Sequence, residues 1–140
     1  MPGIRHELII ENSVEKIYHA ITSQEGLSAW WTPDAKAKPE RDSVSRFPFG
    51  PKYFKEMKII ELKPGDKVSL AKSHPELKGQ IEQQRSDKGT LLIFHHDDWK
   101  KYTPMFAECN YTWGQFLRSL KLLCETGNGR PYPNQHRVES

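Results

Sequence analysis

The sequence has little cysteine and no long apolar run. Its only two cysteines, Cys109 and Cys124, fall in a segment with helical periodicity, about 22 Å apart along a helix. That separation excludes a disulfide between them, so we expect small buried thiols in a reducing compartment. The apolar run near the N-terminus is too short for a signal peptide, and no segment could span a bilayer. The sequence therefore predicts a cytoplasmic protein.

The chain also lacks a strong charge of either sign. Lys and Arg number 21 against 18 Asp and Glu, a net charge of +3, and the lysines alternate with acids and aromatics. This pattern is typical of solvated faces and argues against a nucleic-acid partner. Hydrophobic residues reach only 36%, but 11% aromatics argue against disorder.

The length of 140 residues suits one domain with one core. We expect a single domain over residues 1–133, followed by a polar tail over 134–140. The segment after Gly127, "NGRPYPNQHRVES", is broken by prolines and is expected to be loosely ordered or to pack at a dimer contact.

The first forty residues predict one strand and two short helices. "IRHELII" alternates as a strand does, and the segment after Ser13 has apolar residues at helical spacing. Ser13 and Ser23 are suited to cap the two helices. The second helix, over 24–31, must end before Pro33 because the residue preceding a proline disfavours helical geometry.

Residues 35–97 carry strand and turn signals. Short turns join consecutive strands, which indicates an antiparallel meander because parallel pairs need long crossovers. In "PKYFKEMKIIEL" the apolar positions change parity after Phe54, which predicts a bulge or twist there.

A long helix ends the folded part of the chain. Thr103 is a suitable N-cap, Pro104 suits the first helical position, and Gly127 is placed for a C-cap. The single apolar stripe of this helix needs a sheet to cover it. The sequence predicts an α+β helix-grip fold, in which a curved antiparallel sheet of about six to seven strands wraps around the helix. Two short helices follow the first strand.

Three segments carry a resemblance to a known family. They are "SVEKIYHAITSQEGLSAWW", "GTLLIFHHDDW" and "WGQFLRSLKLLCETGNGRPY". Together with the order of elements, they resemble the Activator of Hsp90 ATPase homolog 1-like family of the SRPBCC superfamily, whose fold is the START/Bet v 1-like helix grip. The resemblance implies an apolar cavity between sheet and helix, where superfamily members bind lipids, sterols, polyketides or hormones.

The resemblance also implies a second class of function. Eukaryotic Hsp90 activators carry this domain behind a separate N-terminal one, and both contribute to stimulation. We expect no such domain here, and therefore rank a chaperone-associated interaction below ligand binding. Self-association is a further alternative.

We expect the cavity to be lined by one face of the long helix and by aromatics of the sheet. Adjacent residues on a helix point about 100° apart, so Trp31 should plug the mouth of the cavity and Trp30 should pack at the surface or against a partner. The alternative is that both tryptophans are structural, and that Trp113 belongs to the core. The predicted lining residues are Trp31, Phe47, Phe49, Tyr53, Met57, Phe94, His95, Trp113, Phe116, Leu117 and Leu120.

His95 and His96 raise the question of a metal. Neighbouring strand residues face opposite sides, so the two cannot readily chelate one ion, and we expect no metal. One of them should offer the cavity a titratable polar group, unless it is simply a hydrogen-bonded residue at a strand end. For this reason the predicted lining includes His95.

The sequence carries no fingerprint of a common enzyme class. Glu56, Glu61, Tyr53 and His95 are candidates for acid–base chemistry, but no nucleophile elbow, phosphate-binding loop or dinucleotide motif appears. We therefore expect non-catalytic binding of a small hydrophobic or amphipathic ligand, with no cofactor. An enzyme of the cyclase or hydrolase kind is a less favoured alternative.

Overall fold

The computed structural model describes residues 3–51, 53–63, 67–72, 78–86, 89–97, 99 and 101–136. Within them, three helices and six strands follow one another. Their order is β1 (Ile4–Ile10), α1 (Val14–Thr22), α2 (Gln24–Trp30), β2 (Val44–Pro48), β3 (Phe54–Lys63), β4 (Lys67–Lys72), β5 (Lys78–Ser86), β6 (Gly89–Asp97) and α3 (Pro104–Thr126). The predicted α+β class, with two short helices after the first strand and a long C-terminal helix, is confirmed.

The strands form one antiparallel sheet in the order β1-β6-β5-β4-β3-β2. The first strand of the chain pairs with the last, from Ile4 opposite His96 to Ile10 opposite Thr90. The pairing of β1 with β6 brings β1 beside the meander. One face of the sheet can then cover α3, which is consistent with a helix grip.

The predicted irregularity in β3 lies elsewhere than expected. The register runs without a break from Phe54 to Ile59, and the shift falls between Ile59 and Glu61. The parity change at Phe54 has another cause: this ring points to solvent at 44% exposure and is covered by the Arg46 guanidinium, 3.8 Å from its centroid. The parity change at Phe54 therefore reflects an exposed aromatic residue and not a bulge.

The helix ends follow the predicted caps. Ser13, Ser23 and Thr103 each accept a hydrogen bond from the backbone N–H three residues ahead, and Gly127 adopts a left-handed φ of 90° at the end of α3. The second helix ends at Trp30, one residue earlier than predicted, with Trp31 as its C-cap. Thr103 and Gly127 fix where α3 begins and ends along the sheet.

The core lies between the inner face of the sheet and the helices. Alternate residues of β1 and β6 point inward and meet apolar residues of α1 and α3. Its members with the least exposed surface include Ile4, Ile10, Ile17, Leu92, Leu117 and Leu120. Among the described helices, none combines the length and the apolar character that a bilayer crossing requires.

Residues 128–136, here called the C-terminal segment, fold back onto the domain. The Arg130 N–H donates to Ser119 Oγ at 2.6 Å, and the Tyr132 N–H donates to the Trp31 carbonyl oxygen at 2.8 Å. The expectation of loose order is therefore wrong for this segment, which packs on its own chain, and a dimer contact there stays a prediction. Residues 137–140 lie outside the described residues, and the domain boundary at residue 133 stays a prediction.

Candidate functional site

A cleft of about 400 Å³, here called the α3 cleft, opens beside the N-terminal half of α3. One of its walls is a single face of this helix, because its members recur at intervals of three and four residues. They are Met105, Glu108, Cys109, Thr112, Trp113 and Phe116.

The other walls come from three separate parts of the chain. Phe49, Tyr53 and Lys55 lie at the β2–β3 connection and the start of β3, opposite the helix. Tyr132 and Gln135 of the C-terminal segment complete the lining together with Trp31 of the α2 C-cap. The cleft thus depends on contacts between residues more than eighty positions apart in sequence.

The burial of the lining residues gives the cleft a floor and a mouth. Trp31 and Phe116 are each 4% exposed and form the floor, whereas Tyr53 is 54% and Met105 63% exposed. The exposed side chains leave the cleft open to solvent. A ligand can therefore enter without any rearrangement of the core.

Trp31 is the centre of an aromatic cluster that extends below the cleft. Its ring centroid lies 4.2 Å from that of Phe47, 5.1 Å from that of Trp113 and 6.0 Å from that of Phe49. Trp113 in turn packs on Phe94 at 4.5 Å. Tilted and edge-to-face rings at these separations attract one another, so they fix the shape of the floor.

The structure brings five of the predicted lining residues to the α3 cleft: Trp31, Phe49, Tyr53, Trp113 and Phe116. Five others lie in the packed core and do not line this cleft. They are Phe47, Met57, Phe94, Leu117 and Leu120, each less than 9% exposed. Phe47 and Phe94 form the second layer, behind Trp31 and Trp113.

His95 is the predicted lining residue that the structure places on the wrong side of the sheet. It pairs with Arg5 in the register of β1 and β6, whereas His96 pairs with the buried Ile4. His96 is 7% exposed, and its ring lies 6.4 Å from that of Trp113. Since Phe94 points inward, strand alternation requires His96 rather than His95 to share its face.

Trp30 does not pack at the surface, and its burial agrees with the alternative that it is structural. It is 1% exposed, and its Nε1–H donates to the Ala20 carbonyl oxygen at 2.8 Å. A contact between α1 and α2 accounts for this burial. There Gly26 approaches so closely that a Cβ atom on it would lie 2.6 Å from the Ala20 backbone. Trp31 itself lies at the floor of the cleft, not at its mouth.

The candidate acid–base groups do not meet in one place. Tyr53 lines the α3 cleft, but Glu56, Glu61 and His95 are not among its lining residues. Among the described residues, no three His, Cys, Asp or Glu side chains come close enough together to hold a metal ion.

The two cysteines of α3 lie on different surfaces. Cys109 lines the α3 cleft, whereas Cys124 lines a separate groove of about 450 Å³ between α1, α2 and α3. Burial, and to a smaller extent the charge of Glu125, raises the pKa of the Cys124 thiol to about 11. Cys124 therefore stays protonated at neutral pH and is a poor nucleophile.

The sequence interpretation missed seven lining residues. Four of them, Met105, Glu108, Cys109 and Thr112, share the helical face of Trp113 and could have been found by extending that face toward the N-terminus of α3. Lys55 follows Tyr53 by two positions in an extended segment. Tyr132 and Gln135 had no such signal, because they lie in an aperiodic polar segment.

The geometry can be compared with known proteins. The family described as "Activator of Hsp90 ATPase homolog 1-like protein" matches residues 11–125. The solution structure of the Aha1 dimer from Colwellia psychrerythraea is 32% identical and has a TM-score of 0.85, with 92% of this chain and 100% of that chain covered. The chain belongs to the Activator of Hsp90 ATPase homolog 1-like family. This confirms the resemblance carried by the three quoted segments.

Other structures share the fold of this Activator of Hsp90 ATPase homolog 1-like chain at lower identity. The protein SSP2350 from Staphylococcus saprophyticus is 14% identical at a TM-score of 0.82, with 93% of this chain and 97% of that chain covered. DynU16, a protein in the dynemicin biosynthetic locus, is 18% identical at a TM-score of 0.81, with coverage of 91% and 48%. Among curated proteins, none matches.

Proposed function

We propose that this protein binds a small hydrophobic or amphipathic molecule in the α3 cleft without transforming it. The observation that carries the proposal is the lining itself, in which six of the twelve residues are aromatic and yet the cleft is open. A volume of about 400 Å³ falls within the range of small-molecule sites. Burial of 100 Å² of apolar ligand surface there would contribute roughly 2.5 kcal/mol.

Thermal unfolding tests whether any such ligand exists. A panel of fatty acids, sterols, flavonoids and polyketide-like aromatics is screened for a rise in Tm. A ligand at 100 times its Kd stabilises the protein by about 2.7 kcal/mol, which is about 5–10 °C for a chain of this size. Trp113→Ala should lose the shift, because Trp113 forms part of the helical wall. If no apolar compound shifts Tm, the proposal fails.

The cysteines give a second test that locates the ligand. Labelling by iodoacetamide is followed by mass spectrometry at Cys109 and Cys124, with and without a compound that raises Tm. A ligand in the α3 cleft should slow the labelling of Cys109 severalfold. Cys124, which lies outside the cleft, is the internal control and should keep its slow rate. Equal protection of both thiols, or of neither, would place the ligand elsewhere.

A second candidate function is interaction with a chaperone of the Hsp90 family. Its support is the family description and the name of the Aha1 relative. The test is stimulation of the cognate chaperone's ATPase by the purified chain. Stimulation that persists in Trp113→Ala would favour a surface interaction over the cleft, whereas an inactive chain would remove this candidate.

Self-association is supported by the dimeric state named for the Colwellia structure. Large apolar side chains are also exposed on and near α3, namely Tyr102, Met105 and Tyr111, at 78%, 63% and 70%. Sedimentation over a range of concentrations gives the mass directly, and a monomer at high concentration would exclude a dimer.

The proposed cytoplasmic location is supported by the two free thiols.

A further inference from the structure

Gln135 is the polar side chain that the C-terminal segment contributes to the α3 cleft. Its position is held from two sides. The Tyr132 N–H donates to the Trp31 carbonyl oxygen at 2.8 Å, and the Tyr132 ring lies 5.3 Å from the ring of Phe49. A turn follows, in which the Asn134 N–H donates to the carbonyl oxygen of Pro131 at 2.8 Å. The Gln135 amide is thus attached to a segment that is anchored on the floor and on the opposite wall.

The amide of Gln135 has an unused hydrogen-bonding atom. Its Oε1 atom is buried and accepts no hydrogen bond from the described residues. Buried amide groups in folded proteins nearly always have a partner, because leaving one unpaired is unfavourable. Among the described residues that line the cleft, Gln135 is the one that carries such an atom. A ligand atom that donates a hydrogen bond to this oxygen would therefore increase the affinity.

The geometry points to an aromatic molecule that carries a hydroxyl group as the ligand of the α3 cleft, with Gln135 binding that hydroxyl. This rests on the proposed function of the cleft. The six aromatic lining residues favour a ring, since rings pack on rings with a specific attraction beyond burial.

The hydroxyl follows from the chemistry of the amide. The available atom of the Gln135 amide is its carbonyl oxygen, which accepts hydrogen bonds, and an aromatic hydroxyl can donate one to it. An ether oxygen only accepts and a hydrocarbon does neither. A carboxylate is disfavoured, because the available atom of Gln135 is itself an acceptor and the Glu108 carboxylate lines the same cleft.

Two probes that differ only by a methyl group on one oxygen atom test the inference. The affinities of 2-naphthol and 2-methoxynaphthalene are measured by isothermal titration calorimetry on the full chain. The wild-type protein should bind 2-naphthol about tenfold more tightly, the effect of one hydrogen bond to a buried amide. In Gln135→Leu the preference should fall to about twofold or less, with binding of the ether unchanged or stronger.

Thr112→Val is the matched control. It removes another hydrogen-bonding side chain from the lining but leaves Gln135 in place, so the preference for 2-naphthol should survive. Circular dichroism confirms that both variants fold, which is expected because neither residue lies in the packed core.

The outcomes separate the inference from the function on which it rests. Equal affinities for the two probes in the wild-type protein would overturn the inference and leave the proposed function standing. A preference that survives in Gln135→Leu, or one that Thr112→Val abolishes, would overturn the role of Gln135. If the wild-type protein binds neither probe, the cleft is not an aromatic site and both the inference and this form of the function fall.

Discussion

The two halves of α3 differ in what they face. In the C-terminal half, Leu117, Ser119 and Leu120 are at most 2% exposed, enclosed by the sheet, α2 and the C-terminal segment. In the N-terminal half, Met105 is 63% exposed and Cys109 only half-buried, because the same side of the helix opens onto the α3 cleft. The inner face of this helix is therefore enclosed at Leu117, Ser119 and Leu120, and open to the α3 cleft in its N-terminal half.

The difference arises from what lies opposite each half. Facing the C-terminal half, the chain approaches closely through small groups, and a Cβ atom on Gly129 would lie 2.5 Å from the Ala29 carbonyl oxygen. Facing the N-terminal half, the rings of Trp31, Phe49 and Tyr132 contact one another and form a rigid boundary. The close approach leaves no room for a side chain at position 129, whereas packed rings can border a cleft without collapsing into it.

The largest expected effect compares one apolar truncation in each half. Leu120→Ala should lower the free energy of unfolding by about 2–5 kcal/mol, because a fully buried side chain leaves a cavity. Met105→Ala should change it by about 0.5 kcal/mol or less, because its side chain is already largely in water. Urea unfolding of both variants measures the two values. Similar losses would show that the N-terminal half is as tightly packed as the C-terminal half.

The elements of the fold could be predicted because their signals are local. Ser13, Ser23 and Thr103 cap helices whatever lies around them, and the left-handed φ of Gly127 suits glycine at any helix end. The stripe of α3 identified Trp113 and Phe116 as inward residues in the same way. Periodicity states that a residue faces inward, but not whether the space beyond it is filled.

The remainder depended on contacts distant in sequence. Gln135 reaches the cleft only because the C-terminal segment returns to Trp31, and no periodicity marks a residue in an irregular segment. Trp30 is buried between two helices whose contact depends on Gly26 and Ala20. His95 is a different case, because strand alternation from the inward Phe94 predicts that His96, and not His95, faces the core.

The second prediction uses the two glycines associated with the two halves of α3. Gly129→Ala should destabilise the protein by about 1–3 kcal/mol, because the added methyl group meets the backbone of Ala29. Gly114→Ala, within the helix, meets only Cε1 of His6 at 3.6 Å, an ordinary contact. It should stabilise by about 0.5–1 kcal/mol through helix propensity.

Thermal unfolding of both glycine variants gives the signs. Amide hydrogen exchange at Tyr132 adds a local measurement, since its N–H bonds the Trp31 carbonyl oxygen only while the C-terminal segment is docked. Faster exchange in Gly129→Ala, but not in Gly114→Ala, is the expected pattern. An unchanged Tm in Gly129→Ala would mean that the segment contributes little to holding α2 against α3.

The smallest effect concerns the electrostatic anchor at the C-terminal end of α3. Oε2 of Glu125 accepts hydrogen bonds from the Glu11 N–H and from Lys121 Nζ, both at 2.8 Å. Partial burial raises the pKa of the Glu125 carboxyl, but these two bonds outweigh it, so the net pKa lies below its usual value. A carboxyl whose pKa is lowered by folding stabilises the protein above its unfolded pKa, and the contribution is lost as the pH falls through the folded value.

Glu125→Gln should therefore cost about 0.5–1 kcal/mol at pH 7, a small value because water screens a partly exposed pair. The difference from wild type should shrink as the pH falls below the unfolded pKa of about 4.3 and through the lower folded pKa, where the wild-type carboxyl also becomes neutral. Glu7→Gln, which breaks only an exposed pair with Arg5 at 3.6 Å, is the control and should have almost no effect. Urea unfolding between pH 3 and 7 measures both variants. A cost that stays constant over this range would mean that Glu125 acts through packing and hydrogen-bond geometry. Its charge would then play no part in holding the C-terminal end of α3 against Glu11.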